Sequence, residues 1–242
     1  MMTGLSFPLP LPYTWREQNV RGPARMPEQM LWGVDSASRV GNDLYQCVVR
    51  NFGKPAYWGR YLATVPNAAD GLTRAEASFL HRNGVKILPI YSKFTQAVGY
   101  GQGRIAARNS MYYAQLLGIP KGTMLFANIE KRFQVDEAWI RGWVDAVDQG
   151  GYRPGIYCDP SQPAFSRAYC LAQEKSERVR TRTVLWSQEP TPGPSSPRQA
   201  PAYSPVRPPC PAQVWAWQYG ENARECPVDT NLMDRRLFQW LW

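Results

Sequence analysis

Three carboxyl groups and one amide in this chain stand where side chains of their type can do acid–base work. Asn128 and Glu130 close the run Thr123-Met124-Leu125-Phe126-Ala127-Asn128-Ile129-Glu130. Met124, Leu125 and Phe126 follow Pro120 and Gly122, so the run reads as a short buried strand. Residues two apart on a strand share a face, so Asn128 and Glu130 point together and Ile129 points away. Asp35 ends the run Leu31-Trp32-Gly33-Val34-Asp35, and Asp229 lies in Val228-Asp229-Thr230-Asn231-Leu232. Carboxyls brought together raise the pKa of at least one of them, which a general acid near neutral pH requires. The plainer reading of Glu130 is a loop residue paired with Lys131 or Arg132.

Aromatic residues stand near other strand ends: Tyr91, Tyr157, Trp186, Trp217 and Tyr219. At a mouth lined by carboxyls they are candidates for stacking on sugar rings. Other chemistries find little support. The single histidine, His81, falls on a helix expected over 73–82 and is expected to be exposed, which argues against a Ser-His-acid triad. The five cysteines (Cys47, Cys158, Cys170, Cys210 and Cys226) form no C-x-x-C pair, so a zinc site is not expected. Late pairs such as Cys158–Cys170 or Cys210–Cys226 could bridge in an oxidising compartment; free buried thiols are the alternative. Gly99-Tyr100-Gly101-Gln102-Gly103 has no following Lys-Ser/Thr, so it is read as a flexible turn rather than a phosphate loop. No metal and no cofactor is implied.

These residues need strands and helices to position them, and the chain alternates the two. Strands are expected at 31–35, 56–62, 85–92, 123–130, 153–159, 183–188, 214–219 and 228–232. Helices are expected at 73–82, 105–117, 135–149 and 163–173, with Thr73 and Glu76 spaced as a capping box and Asp136 as a cap. Such alternation argues a single α/β barrel of the (β/α)₈ type, short and irregular, over residues 31–242. In a closed barrel the first and last strands are neighbours, so Asp35 and Asp229 would lie side by side with Glu130 across the mouth. Residues 1–30 lack periodicity and read as an N-terminal arm. Nine prolines between Pro190 and Pro211 mark a long loop within the barrel, since too few residues follow for a second domain.

A chain of 242 residues, 44% hydrophobic and 19% charged, suits a globular core, and no apolar run is long enough to span a membrane. The first 18 residues have no basic residue ahead of their proline-broken apolar part, so no signal peptide is recognised. Action at a cell wall or periplasm would need a dedicated export route; otherwise the protein is cytoplasmic. A net charge of +9 favours polyanionic partners. The densest basic stretch, 175–182, lacks interleaved aromatics, so it reads as a solvated helix end and nucleic acid is not an expected partner.

Trp58-Gly59-Arg60-Tyr61-Leu62, Leu72-Thr73-Arg74-Ala75-Glu76 and the stretch 84–91 together resemble a bacterial glycoside hydrolase-like domain of unknown function. That family is related in fold to the family 25 glycoside hydrolases, the muramidases or lysozymes. Trp217-Gln218-Tyr219 followed by Val228-Asp229-Thr230-Asn231 resembles the muramidase ending, Gly33-Val34-Asp35 their opening strand, and Asn128-Ile129-Glu130 their Asp-x-Glu motif. The resemblance runs from about Leu31 to Asp234. It implies Glu130 as general acid, Asp35 and Asp229 as residues shaping the saccharide site, and peptidoglycan or another N-acetylated glycan as partner. It also implies that the substrate's own N-acetyl group is the nucleophile, steadied by the first acid of the motif, where this chain has Asn128. An amide orients that group by hydrogen bonding but cannot neutralise a developing positive charge. Two functions follow: a muramidase-like hydrolase, or a non-catalytic glycan-binding protein on the same barrel.

Overall fold

The computed structural model describes Met1 and residues 29–242; residues 2–28, most of the expected N-terminal arm, lie outside the described residues. The eight strands close into one barrel in chain order: β1 (Met30–Asp35), β2 (Tyr57–Tyr61), β3 (Lys86–Tyr91), β4 (Met124–Asn128), β5 (Arg153–Cys158), β6 (Val184–Gln188), β7 (Gln213–Gly220) and β8 (Asp229–Asp234). Helices α1 (Asn42–Asn51), α2 (Arg74–Arg82), α3 (Tyr100–Leu117) and α4 (Glu137–Gln149) fill the first four connections. Two helices, α5 (Pro163–Lys175) and α6 (Glu177–Arg182), share the fifth, and α7 (Arg235–Phe238) follows β8.

Strands β1 to β7 run parallel, but β8 is antiparallel to both β7 and β1. The cause is the short connection over 221–228. A parallel return needs a crossover of a dozen or more residues, whereas a short link returns the chain antiparallel. The reversal puts the first residue of β8, not its last, at the mouth. Asp229 is accordingly the register partner of Asp35.

Alternation along each strand sorts the apolar residues. Tyr57, Leu88, Ile90, Met124, Phe126, Val184, Trp186, Ala216 and Met233 fill the barrel interior. Their chain neighbours, such as Trp58, Ile87, Leu125, Ala127 and Leu185, face the helices. The C-terminal end closes the bottom: Leu237 and Leu241 join the interior cluster, and the Trp240 carbonyl accepts from the Met124 amide at 2.9 Å.

Several expectations need correction. The glycine-rich stretch over 99–103 is the first turn of α3, not a flexible turn. A side chain at Gly103 would collide with the Trp139 carbonyl of α4, and one at Gly142 with the Tyr100 carbonyl. These glycines let the two helix backbones touch. The stretch 42–51 is helical, although the Gly41 that precedes it offers no capping side chain. The basic stretch 175–182 is only partly solvated: Lys175 pairs with Glu137, and Arg178 with Asp145 and Asp148 of α4. The capping box is half made. Thr73 accepts from the Glu76 amide, but the Glu76 side chain pairs with Arg60 instead.

The cysteine pairing also differs from both candidate pairs. Cys47 bridges Cys226, Cys170 bridges Cys210, and Cys158 is a buried free thiol. Both bridges tie a connection without a helix to a helix. Cys226 lies in the β7–β8 link and Cys47 on α1; Cys210 lies in the proline-rich loop and Cys170 on α5. The proline-rich loop occupies the sixth connection and covers the outer face of β7. There Tyr203 donates to the Val214 carbonyl at 3.0 Å and Gly193 to the Tyr219 carbonyl at 3.1 Å.

Candidate active site

At the mouth, β1, β4, β5, β6, β7 and β8 each direct a polar or aromatic side chain inward. Asp35, Asn128, Tyr157, Trp186, Gln218 and Asp229 line one cavity of about 40 Å³, together with Tyr61, Ile90 and Glu130. The expected trio of acids therefore shares one site. Asn128 and Glu130 point into it together, and Ile129 turns into the outer core.

Asp35 is 5% exposed, and its Oδ2 accepts from Asn231 Nδ2 at 2.7 Å and Gln218 Nε2 at 3.0 Å. The same Gln218 nitrogen reaches Asp229 Oδ2 at 3.2 Å, while its Oε1 accepts the Tyr157 hydroxyl at 2.7 Å. Asp229 Oδ1 is held by the Asn222 backbone amide at 2.7 Å. Burial, and then the neighbouring Asp229, push the Asp35 carboxyl well above the ordinary range. Burial, with Glu221 adding repulsion, pushes Asp229 up to about 6. Asp35 and Asp229 interact strongly enough that the two carboxyls titrate as a unit.

Gly59 makes room for this arrangement. A Cβ there would stand 2.6 Å from that of Asp35. The end of β1 is fixed from behind by Arg60, which faces outward and is fully buried. Its guanidinium pairs with Glu76 at 2.6 Å and donates to the carbonyls of Ser36 at 2.5 Å and Asp70 at 2.9 Å.

Asn128 is 2% exposed. Its Nδ2 donates to Glu130 Oε1 at 2.9 Å and to Ser92 Oγ at 3.1 Å. Its Oδ1 is buried and accepts nothing among the described residues. A buried acceptor without a donor is costly unless something arrives to satisfy it. Glu130 stands at a junction: it lines the small cavity and also a groove of about 690 Å³. That groove runs between the loops after β2, β3 and β4, over Val65, Pro66, Phe94, Phe133, Lys93 and Arg132.

The expected sugar-stacking aromatics fare unevenly. Tyr157 and Trp186 reach the cavity, but as wall and floor. The Tyr157 hydroxyl is tied to Gln218, and Trp186 Nε1 donates to Asn231 Oδ1 at 2.9 Å. Tyr91, Trp217 and Tyr219 do not reach it. Tyr91 stacks on Trp143 in the helical layer, and Trp217 and Tyr219 pack outward with Trp32. The physical reason is the period of two: inward Gln218 sends both its neighbours out, and inward Ile90 sends Tyr91 out. The aromatics that face the groove are Phe94 and Phe133, 5.7 Å apart edge to face, on loops rather than strands. Gln218 and Asn231 were visible only inside the quoted ending motifs, and alternation from Asp229 places Asn231 beside it. His81 is exposed, edge-on to Trp242 and remote from the cavity lining. Among the described residues no cluster of His, Cys, Asp and Glu could hold a metal ion.

The model of the Rv2525c-like, glycoside hydrolase-like domain matches residues 53–223. The chain belongs to that family. A solved structure of an uncharacterized B. stearothermophilus protein is 52% identical, covering 88% of this chain and all of its own, with a TM-score of 0.86. More distant structures share the fold. The Clostridium perfringens spore cortex lytic enzyme SleM has a TM-score of 0.54 at 14% identity, over 86% of this chain and 68% of its own. A muramidase from Acremonium alcalophilum has a TM-score of 0.52 at 15% identity, over 87% of this chain and 98% of its own. No curated protein matches the sequence. The barrel is thus of the (β/α)₈ type found among muramidases, and the family resemblance read from the sequence holds. Among the described residues, no helix is long and apolar enough to cross a membrane.

Proposed function

We propose that this protein acts on an N-acetylated cell-wall polysaccharide, peptidoglycan foremost, with Glu130 as the proton donor. The observation that carries this reading is Glu130, accepting from Asn128 Nδ2 and set beside the unsatisfied Oδ1 of the same amide, at the junction of a large groove and a small cavity. A cavity of about 40 Å³ holds a substituent, not a sugar ring. The ring therefore lies in the groove and one substituent enters the mouth. An acetamido group suits it, because its N–H meets the Asn128 acceptor and its bulk is small.

Chemistry follows from that placement. Glu130 gives its proton to the glycosidic oxygen as the bond from that oxygen to the anomeric carbon breaks. The acetamido carbonyl oxygen bonds to the same carbon, forming a cationic ring. Water then opens the ring, with Glu130 taking back a proton. Asp35 and Asp229 shape the far side of the mouth. The lytic and muramidase activities named for the two distant structures support the substrate class.

A second reading, a glycan binder without turnover, is favoured by one observation: residue 128 is an amide, which leaves the cationic ring without a facing charge. One experiment separates the two. Peptidoglycan is digested with wild type, Glu130→Gln, Asn128→Asp and the double variant, and soluble fragments are read by mass spectrometry. Glu130→Gln is expected to lose about a hundredfold or more in rate. Asn128→Asp is expected to gain, since a charge there favours the intermediate over the ground state. The gain should vanish in the double variant. Retained binding with no fragments from any of the four would leave the binder as the function.

A further inference from the structure

The groove beside Glu130 carries charge as well as aromatic surface. Lys93, on the loop after β3, and Arg132, on the loop after β4, both line it and are both exposed. Among the described residues neither forms an ion pair. Lys93 has only a ring contact, its ammonium lying 5.8 Å from the Tyr113 centroid. Their neighbour Lys131, by contrast, faces the carboxylate of Asp159 and does not line the groove. Two unpaired cations flank one groove, with Phe94 and Phe133 between the loops that carry them.

Among the described residues, Glu130 is the only carboxylate lining the groove, at the end that opens on the mouth. A neutral saccharide gives Lys93 and Arg132 nothing to neutralise. A second hollow, of about 240 Å³, continues past Lys93 and is lined by Gln96, Gln102 and Asn109. Amide side chains there offer donors and acceptors to a polar chain rather than a surface to a sugar face.

We infer that Lys93 and Arg132 form a subsite for an anionic substituent carried by the glycan, so that the protein selects acidic strands over neutral ones. The inference rests on the glycan reading of the Glu130 site and specifies its substrate. The recognised chemistry is a carboxylate or a phosphate: a peptide attached through the sugar supplies the first, a phosphodiester polymer on the wall the second. Guanidinium pairs both in fork geometry, and the ammonium serves as a point charge. Because both side chains are solvated, the preference should weaken as salt rises.

The test is calorimetric binding of three probes at low and at moderate salt. They are a neutral N-acetylglucosamine tetramer, a muropeptide of similar glycan length carrying peptide carboxylates, and a wall fragment carrying a glycerol-phosphate polymer. They are offered to Glu130→Gln, which prevents turnover, and to the same protein with Lys93→Gln and Arg132→Gln. The expected result is at least a tenfold preference for one acidic probe over the tetramer, reduced by salt and collapsing toward unity in the triple variant. Which acidic probe wins identifies the anion. Equal affinity for tetramer and acidic probes overturns the subsite while leaving the glycan site standing, and a preference that survives in the triple variant overturns it too. Failure of all three probes to bind would sink the glycan reading itself. Both substitutions are at exposed positions, and a thermal melt checks that the variant is folded.

Discussion

Replacing Asp229 by asparagine should change the sign of its effect on stability as pH rises. In the folded protein burial lifts this carboxyl from 3.8 to about 6. Its folded pKa lies above its unfolded one, so the stabilising contribution is complete below about pH 4 and is lost as pH rises through about 6. A tenfold change in proton affinity corresponds to about 1.4 kcal/mol, so the loss from this group is about 3 kcal/mol. Asparagine cannot ionise and avoids that loss. It does introduce one conflict: its Nδ2 takes the place of the oxygen that accepts from Gln218 Nε2 at 3.2 Å. An unmade hydrogen bond of this kind costs about 1 kcal/mol at any pH. Asp229→Asn should therefore be about 1 kcal/mol less stable than wild type near pH 3.5 and about 2 kcal/mol more stable near pH 7.5. Urea unfolding at half-unit pH steps measures the difference; contributions common to both proteins cancel, and relief of Asp35 from its charged neighbour adds to the gain at high pH in the same direction. A difference that stays flat from about pH 3.5 to 7.5 would refute this reasoning, because Asp229 would then be as ionised in the folded chain as in the unfolded one.

Three further predictions concern the frame around the site. Arg60→Ala should cost about 3–5 kcal/mol, since it leaves Glu76 buried without its cation; a thermal melt in which the variant matches wild type would rule this out. Cys170→Ser with Cys210→Ser opens a bridge between residues 40 apart, and chain entropy puts the loss at about 4 kcal/mol, read from the urea midpoint. Gly103→Ala forces α3 away from the Trp139 carbonyl of α4 and should destabilise by about 1–3 kcal/mol, with a change in near-ultraviolet circular dichroism from Trp139 and Trp143.

Much of the barrel was readable because its strands obey simple rules. Short apolar runs ended in Gly, Pro or an acid, the period of two placed Asn128 with Glu130, and closure of the barrel placed Asp35 beside Asp229. Other features depend on partners that a linear reading does not hold. Whether Tyr91 or Ile90 faces inward depends on the pleat, and one residue of phase moves a ring from the mouth to the helical layer. Arg60 reads as the polar end of a strand, yet its role depends on Glu76, Ser36 and Asp70 meeting it from three directions. Helix α1 carried no capping side chain to announce it. The cysteine pairs depend on which helices the two helix-free connections lie against. The groove aromatics Phe94 and Phe133 sit in loops, where no periodicity marks a side chain's direction.

The antiparallel β8 makes the mouth a seam as well as a site. Asp35 accepts from Asn231, 196 positions along the chain, and from Gln218, 183 positions along. Nearly the whole polypeptide lies between the residues that form one half of the mouth. Contacts of such separation bear the greatest loop-closure cost, so they form late unless something shortens the loop. The Cys47–Cys226 bridge joins residues 179 apart next to that seam and shortens the path between its two sides. Closing the barrel and assembling the Asp35–Asp229 pair are therefore one event. A chain halted before β8 would have Glu130 and Asn128 in place on β4 and the loop beyond it, with Asp35 across the mouth lacking both Asn231 and Asp229.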